Sequence, residues 1–237
     1  MRGKGFTFKQ FHIDHSRCAM KVGTDGTLLG AWATLPDNGK ILDIGTGTGL
    51  IAIMAAQRTS SAHITAIDID AECMQQARIN ADASAWSERI EVIHSPLQDF
   101  SPEGKFDCII SNPPYFVESQ LSPNAARSTA RHTTTLSFKE LAAGVKRLLA
   151  PKGHFSLILP PTEMTRMLYE LRGEMFVVRE CEVWSTPTSG VKRVMAELQA
   201  DIPTSPTTHE KIIIEDGGPQ SYSEEYRALT RDFYLKF

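Results

Sequence analysis

From residue 40 onward the chain alternates short apolar runs with longer stretches in which apolar residues recur every three to four positions. The runs predict strands near 40–44, 62–68, 89–94, 106–111 and 153–159, and the amphipathic stretches predict helices near 48–59, 71–84 and 137–149. Strand–helix alternation predicts an α/β fold with a doubly wound, mostly parallel sheet, whose ligand site lies at the carboxyl ends of the strands. From Glu163 a short helix precedes two β-rich runs, 176–184 and 193–200, expected to form an antiparallel closing hairpin around a turn at 187–190. Residues 203–209 read as a linker and 222–237 as a short helix docking back on the sheet, with Tyr226, Phe233 and Tyr234 suited to packing rather than base stacking.

Composition bounds this picture. A chain of 237 residues, 41% hydrophobic and 22% charged, can bury one full α/β core and is too short for a second large one. The expectation is a single domain over 1–237, with a lead-in or cap over 1–36 and a docking tail over 203–237. No run of eighteen apolar residues occurs and the N-terminus is polar, so a soluble, cytoplasmic protein without membrane association is expected. Cys18, Cys73, Cys108 and Cys181 form no Cys-x-x-Cys pair, and His12 and His15 have no second ligand pair nearby, so neither a disulfide framework nor a metal site is expected. Net charge is −3, yet residues 1–22 hold Arg2, Lys4, Lys9, Arg17 and Lys21 against Asp14 alone. A local basic patch of this kind can steer a polyanion.

The first candidate site is Asp43-Ile-Gly-Thr-Gly-Thr-Gly49, where a strand meets a helix. Gly45, Gly47 and Gly49 permit positive φ and, with Thr46 between them, let a ligand lie against the backbone. Leu50 stands where the dinucleotide fingerprint needs its third glycine, and Leu50-Ile51 replaces the Lys-Ser/Thr pair of a phosphate loop, so nicotinamide cofactors and nucleoside triphosphates are disfavoured. Asp68, ending the next strand, can accept both hydroxyls of a ribose. Its structural alternative is a helix cap, a role that Asp70 fills more naturally. Asp43 can face a positive charge, and together these residues suit an adenosine carrying an amino acid and a sulfonium.

The second candidate is Asn112-Pro113-Pro114-Tyr115, at the end of the apolar run 106–111. An aromatic amine attacks an electrophile poorly until its protons are hydrogen-bonded and its lone pair leaves conjugation. The Asn112 side-chain oxygen and the Pro113 carbonyl can accept those protons, and Tyr115 can stack on the base. The alternative is a strand-terminating turn.

These motifs, in this order and spacing across 40–160, resemble the class I S-adenosylmethionine-dependent methyltransferases that act on exocyclic or amide nitrogens. The resemblance implies a Rossmann-like sheet of order 3-2-1-4-5-7-6 with one antiparallel strand near the C-terminus, and S-adenosyl-L-methionine as cofactor. Pro96 occupies the place of the family's frequently acidic adenine contact, leaving the Leu97 backbone, Gln98 or Asp99 as substitutes. The segments 8–15, 18–26 and 28–32 resemble a smaller group, the bacterial tRNA1(Val) adenine-37 N6-methyltransferases. That likeness implies a tRNA substrate and places Lys21, Gly23 and Thr24 near the cofactor carboxylate, as a segment wrapped over it; a hairpin and cap shielding the sheet edge is the alternative. Residues 127–132 and 186–193 also fit the group, and put Arg127, Arg131, His132, Lys192 and Arg193 on expected loops as RNA phosphate contacts, with plain solvated charge as the alternative. The expected activity is methyl transfer to N6 of an adenine by a monomer. Protein glutamine methylation, ribosomal RNA guanine N2 methylation and a noncatalytic cofactor binder are the rivals.

Overall fold

The computed structural model describes residues 5–18, 20–114 and 136–236. A short hairpin, β1 (Gly5–Thr7) and β2 (His12–Asp14), leads into α1 (Thr24–Trp32). Then follow β3 (Lys40–Ile44), α2 (Leu50–Arg58), β4 (His63–Asp68), α3 (Ala71–Asp82), β5 (Ile90–His94), β6 (Phe106–Ser111), α4 (Phe138–Leu148), β7 (Leu149–Leu159) and α5 (Pro161–Leu171). The chain closes with β8 (Phe176–Trp184), β9 (Val191–Gln199), β10 (Thr208–Ile213) and α6 (Glu224–Thr230).

The main sheet has the order β5-β4-β3-β6-β7-β9-β8-β10, and β9 alone runs antiparallel to its neighbours. Without β10 this is the expected 3-2-1-4-5-7-6. Local chemistry sets the helix starts: Asp70 accepts from the Glu72 and Cys73 amides to cap α3, and Ser137 and Glu140 form a reciprocal capping box on α4. Pro161 opens α5 at a position where its missing N–H costs nothing.

Strand alternation divides the core between two faces. Ile41, Ile64, Cys108, Ile110, Val183 and Met195 pack with α1 and α2 residues such as Leu28, Leu29, Ile51 and Ala52. Leu42, Ile44, Ile109, Phe155, Leu157 and Leu198 pack with Leu141, Val145, Met164 and Met167 from α4 and α5. Cys18, Cys108 and Cys181 are buried, Cys73 is half-buried, and all four are reduced.

The structure corrects several boundaries. β9 begins at Val191, so Lys192 and Arg193 lie on a strand rather than on the preceding loop. The hairpin does more than shield the sheet edge: Phe8, Phe11 and Ile13 pack in one cluster with Leu50, Ile53 and Met54 of α2, Phe233 of the tail and Ile90 of the edge strand β5. Residues 208–209, read as linker, start β10, which adds a parallel strand beside β8. A polar cluster explains that extension. Glu210 accepts from Trp32 Nε1 at 2.6 Å and from Arg179 Nε and Nη2 at 2.9 and 3.1 Å, while the Arg179 guanidinium lies 4.2 Å from the Trp32 ring centre. One carboxylate thus joins α1, β8 and β10 across 178 residues of sequence. Tyr226 and Phe233 are buried, as packing residues.

Glu210→Ala leaves two donors without their acceptor and is expected to destabilise the fold by about 1–3 kcal/mol, toward the lower end because the cluster is a third exposed. Urea unfolding of the two proteins measures the difference.

Candidate active site

The glycine loop, Asp68 and Asn112 all follow the carboxyl ends of adjacent parallel strands β3, β4 and β6. The three glycines adopt positive φ, 71° at Gly45, 55° at Gly47 and 82° at Gly49, but for two different reasons. A Cβ on Gly45 or Gly47 would meet nothing within 4 Å, so both border open space. A Cβ on Gly49 would lie 3.3 Å from Ala77, so that glycine lets the start of α2 approach α3. The loop is anchored to the end of β4: the Gly45 and Thr46 amides donate to the Ile67 carbonyl at 2.9 and 3.0 Å, and the Gly47 amide donates to Asp68 Oδ2 at 2.8 Å.

Asp43 is 1% exposed. Its Oδ2 accepts from Thr46 Oγ1 at 2.6 Å, and its Oδ1 has no partner among the described residues. Burial pushes the Asp43 carboxyl up to about 7, against the pull of the Thr46 hydrogen bond and with a further push from the Asp68 charge. Burial also raises the Asp68 carboxyl, which accepts from the Gly47 amide on one oxygen and the Asp70 amide, at 2.9 Å, on the other. Each Asp68 oxygen retains a lone pair for a ribose hydroxyl. A buried orphan oxygen beside a cradle that any Cβ would fill suits a cationic, adenosine-bearing cofactor.

Asn112 is fixed by the strand it follows. Ser111 sits opposite Ile44 in the β3–β6 register, and its buried Oγ donates to the Ile44 carbonyl at 3.0 Å, so Asn112 and Gly45 leave the sheet side by side. Pro113 is buried and Pro114 exposed. Above them stands the first turn of α1, where a Cβ on Gly26 would lie 3.9 Å from Asn112 Nδ2 and 3.2 Å from Leu50 Cδ2. Lys21, Gly23 and Thr24 are exposed at this rim, and Thr24 is the first residue of α1.

Other expected contacts fare differently. The Leu97 side chain is buried against α4 and its carbonyl accepts from Arg147 Nη2 at 2.7 Å, so of its backbone groups the N–H is what remains for a cofactor. Gln98 donates to Glu140 at 2.9 Å. Arg193 donates from Nε to Asp25 Oδ2 at 2.7 Å, so its charge is engaged within the protein, while Lys192 is exposed. Arg17 pairs with Glu72 at 3.2 Å, which thins the N-terminal basic patch. Tyr115, Arg127, Arg131 and His132, like Arg2 and Lys4, lie outside the described residues. Asp25 and Gly26 fall within the 18–26 segment that carries the family resemblance, but their sequence gives no individual role to either, and Ser111 reads only as the last residue of an apolar run. No group of three or more His, Cys, Asp or Glu side chains among the described residues could hold a metal ion, and no described helix is long and apolar enough to cross a membrane.

The family model described as methyltransferase small domain matches residues 22–162. The solved structure of a predicted O-methyltransferase from Agrobacterium tumefaciens shares the fold, with a TM-score of 0.67 at 19% identity over 88% of this chain and 96% of that one. Fold and site define an S-adenosylmethionine-dependent methyltransferase with a Rossmann-like sheet. Proteins named tRNA1(Val) (adenine(37)-N6)-methyltransferase in Phocaeicola vulgatus and Photobacterium profundum are 45% and 44% identical, covering 97% and 98% of this chain and 97% and 99% of theirs. The chain belongs to that family.

The two glycine environments separate experimentally. Gly49→Ala is expected to cost about 1–3 kcal/mol of stability, from left-handed backbone strain plus the contact with Ala77. Gly47→Ala carries the strain without the contact, so thermal melting should rank Gly49→Ala as the less stable, and calorimetry should show Gly47→Ala as a weaker cofactor binder than the wild type.

Proposed function

We propose that this chain methylates N6 of adenine 37 in tRNA1(Val), and that Asn112 and Pro113 hold the target amine. The observation that carries the reading is the Ser111–Ile44 hydrogen bond, which sets Asn112 beside the glycine loop. Asn112 Oδ1 and the Pro113 carbonyl accept the two amine protons and draw the nitrogen lone pair out of conjugation, and Tyr115 supplies an aromatic face for the base. When bound, S-adenosylmethionine supplies an electrophilic methyl group on a sulfonium. Asp43, buried beneath the loop, would act on the positive end of that cofactor through its charge, Asp68 would take the ribose hydroxyls, and Gly45, Thr46 and Gly47 would shape the cradle, with Gly49 seating α2 against α3 behind it. Lys21, Gly23, Thr24 and the Leu97 amide complete the cofactor contacts. No side-chain base is needed, because the alkylated amine is acidic enough to lose its proton to water. Catalysis comes from positioning, worth up to about 7–11 kcal/mol, and from polarisation of the amine. An anticodon-loop adenine suits the site because unstacking a single-stranded base costs least. Lys192, with Arg127, Arg131 and His132, would take phosphates, and Arg193 would do so only by exchanging its Asp25 partner.

The relatives' shared name and near-complete mutual coverage support this substrate over a glutamine amide or a guanine. Because one chain supplies the loop, both carboxylates and Asn112, we take the enzyme as a cytoplasmic monomer forming a single domain. Incubation with labelled cofactor and, separately, unmodified bulk tRNA, ribosomal RNA, duplex DNA or release factor should label tRNA, and digestion to nucleosides should yield N6-methyladenosine. Label in any other acceptor, with tRNA unlabelled, overturns the proposal.

Asn112→Ala should lower the single-turnover rate about 10²- to 10³-fold, as loss of one polarising group does, with cofactor affinity within about two-fold of wild type. Asp43 makes a pH prediction. Its folded value of about 7 exceeds the ordinary 3.8, so below pH 7 the cofactor-free protein holds the proton that the cationic cofactor must displace. Binding at pH 6 should therefore release close to one proton, binding at pH 8 almost none, and affinity should climb with pH through about 7. Calorimetry in buffers of different ionisation enthalpy reads this directly, and Asp43→Asn should abolish the release.

A further inference from the structure

We infer that Asp25 and Arg193 are positioning residues for methyl transfer: their ion pair holds the first turn of α1, whose Gly26 stands beside the Asn112 side chain with room for about one methyl group between them. The inference rests on the reading of Asn112 as the acceptor of the target amine. Asp25 occupies the first turn of α1, where its charge also complements the helix N-terminus. Arg193 lies at the start of β9, opposite Val183, at the same end of the sheet as Asn112, because β9 runs antiparallel to β7 and β8. The two meet with Nε 2.7 Å from Oδ2, across 168 residues, and side-chain exposures of 27% and 26% shield the pair from much of the salt that weakens surface ion pairs. Arg193 Nη1 donates to the Lys192 carbonyl at 2.8 Å, which orients the guanidinium toward Asp25.

What the pair holds is narrow. Gly26 is buried one residue beyond Asp25, and a single added methyl there would sit 3.2 Å from Leu50 Cδ2 and 3.9 Å from Asn112 Nδ2. The missing side chain at 26 lets the first turn of α1 pack on Leu50, which sets that turn beside the Asn112 amide. Releasing Asp25 from Arg193 frees that turn to shift, and misplacing a reacting group by an ångström costs far more in rate than in binding.

The test compares Asp25→Asn, Arg193→Gln, the double variant and Asn112→Ala, measuring single-turnover rate, tRNA affinity at two salt concentrations, cofactor affinity and melting temperature. Each single variant should lose about 10- to 100-fold in rate, with cofactor and tRNA affinities within about two-fold of wild type. The double variant should be no slower than the slower single one, because the second change removes an interaction already gone. Wild-type rates in both single variants, or additive losses in the double, overturn the inference. It also falls if Arg193→Gln weakens tRNA binding and flattens its salt dependence while Asp25→Asn keeps the wild-type rate, since Arg193 would then be a phosphate contact. Asn112→Ala at the wild-type rate would sink the underlying reading instead. Should the pair variants fail to fold, Gly26→Val, which keeps the pair and extends γ-methyls past the point already 3.2 Å from Leu50 and 3.9 Å from Asn112, should show the same loss in rate with tRNA affinity unchanged; a wild-type rate there overturns the inference.

Discussion

The parallel pairing of β3 with β6 brings Ile44 opposite Ser111, and a buried 3.0 Å hydrogen bond from the serine hydroxyl to the Ile44 carbonyl closes the pair where both strands stop. The next residues are Gly45 and Asn112. Their separation is therefore set by strand geometry rather than by a loop, and every part of the proposed chemistry depends on it. A hydroxyl buried at this point finds its own acceptor and gives a strand-end carbonyl a further donor beside the ladder. Loop residues alone could not hold an amine acceptor against a cofactor cradle to within the tolerance that catalysis by positioning demands.

Around that junction the protein tolerates local costs. Asp43 is buried with one oxygen unsatisfied, and Asp68 lies close enough to raise its proton affinity further. Two glycines hold left-handed backbone beside empty space. None of these features stabilises the cofactor-free fold, and each fits the proposed placement of a cationic ligand across the loop. Gly49 differs: its left-handed backbone serves the packing of α2 on α3, so the third glycine of the motif belongs to the scaffold.

The roof of the site comes from distant parts of the chain. α1 is held at one end by Glu210, through Trp32 and Arg179, and at the other by Arg193, through Asp25. The segments following the last crossover helix thus clamp the segment preceding the first core strand. The strand β10 and the β8–β9 hairpin are more than a closing flap on the sheet, because without them α1 loses the Trp32–Glu210 and Asp25–Arg193 contacts and keeps the Arg58 bonds to its C-terminal carbonyls.

The alternation of apolar runs and amphipathic stretches was enough to read the strand–helix order, the parallel sheet, and the placement of the glycine loop, Asp68 and Asn112 at one end, since each depends on side-chain periodicity within a few residues. The capping role of Asp70 on α3 was also legible. The sequence did not show which glycine packs and which makes room, why residues 208–213 join the sheet, or that Arg193 faces a carboxylate instead of solvent. Those outcomes turn on what lies across the fold, Ala77 against Gly49, Trp32 and Arg179 against Glu210, Asp25 against Arg193. Periodicity reports which face of an element is buried, whereas the identity of the neighbour on that face is created only when segments from about 30 to more than 160 residues apart are brought together by the packing of the sheet.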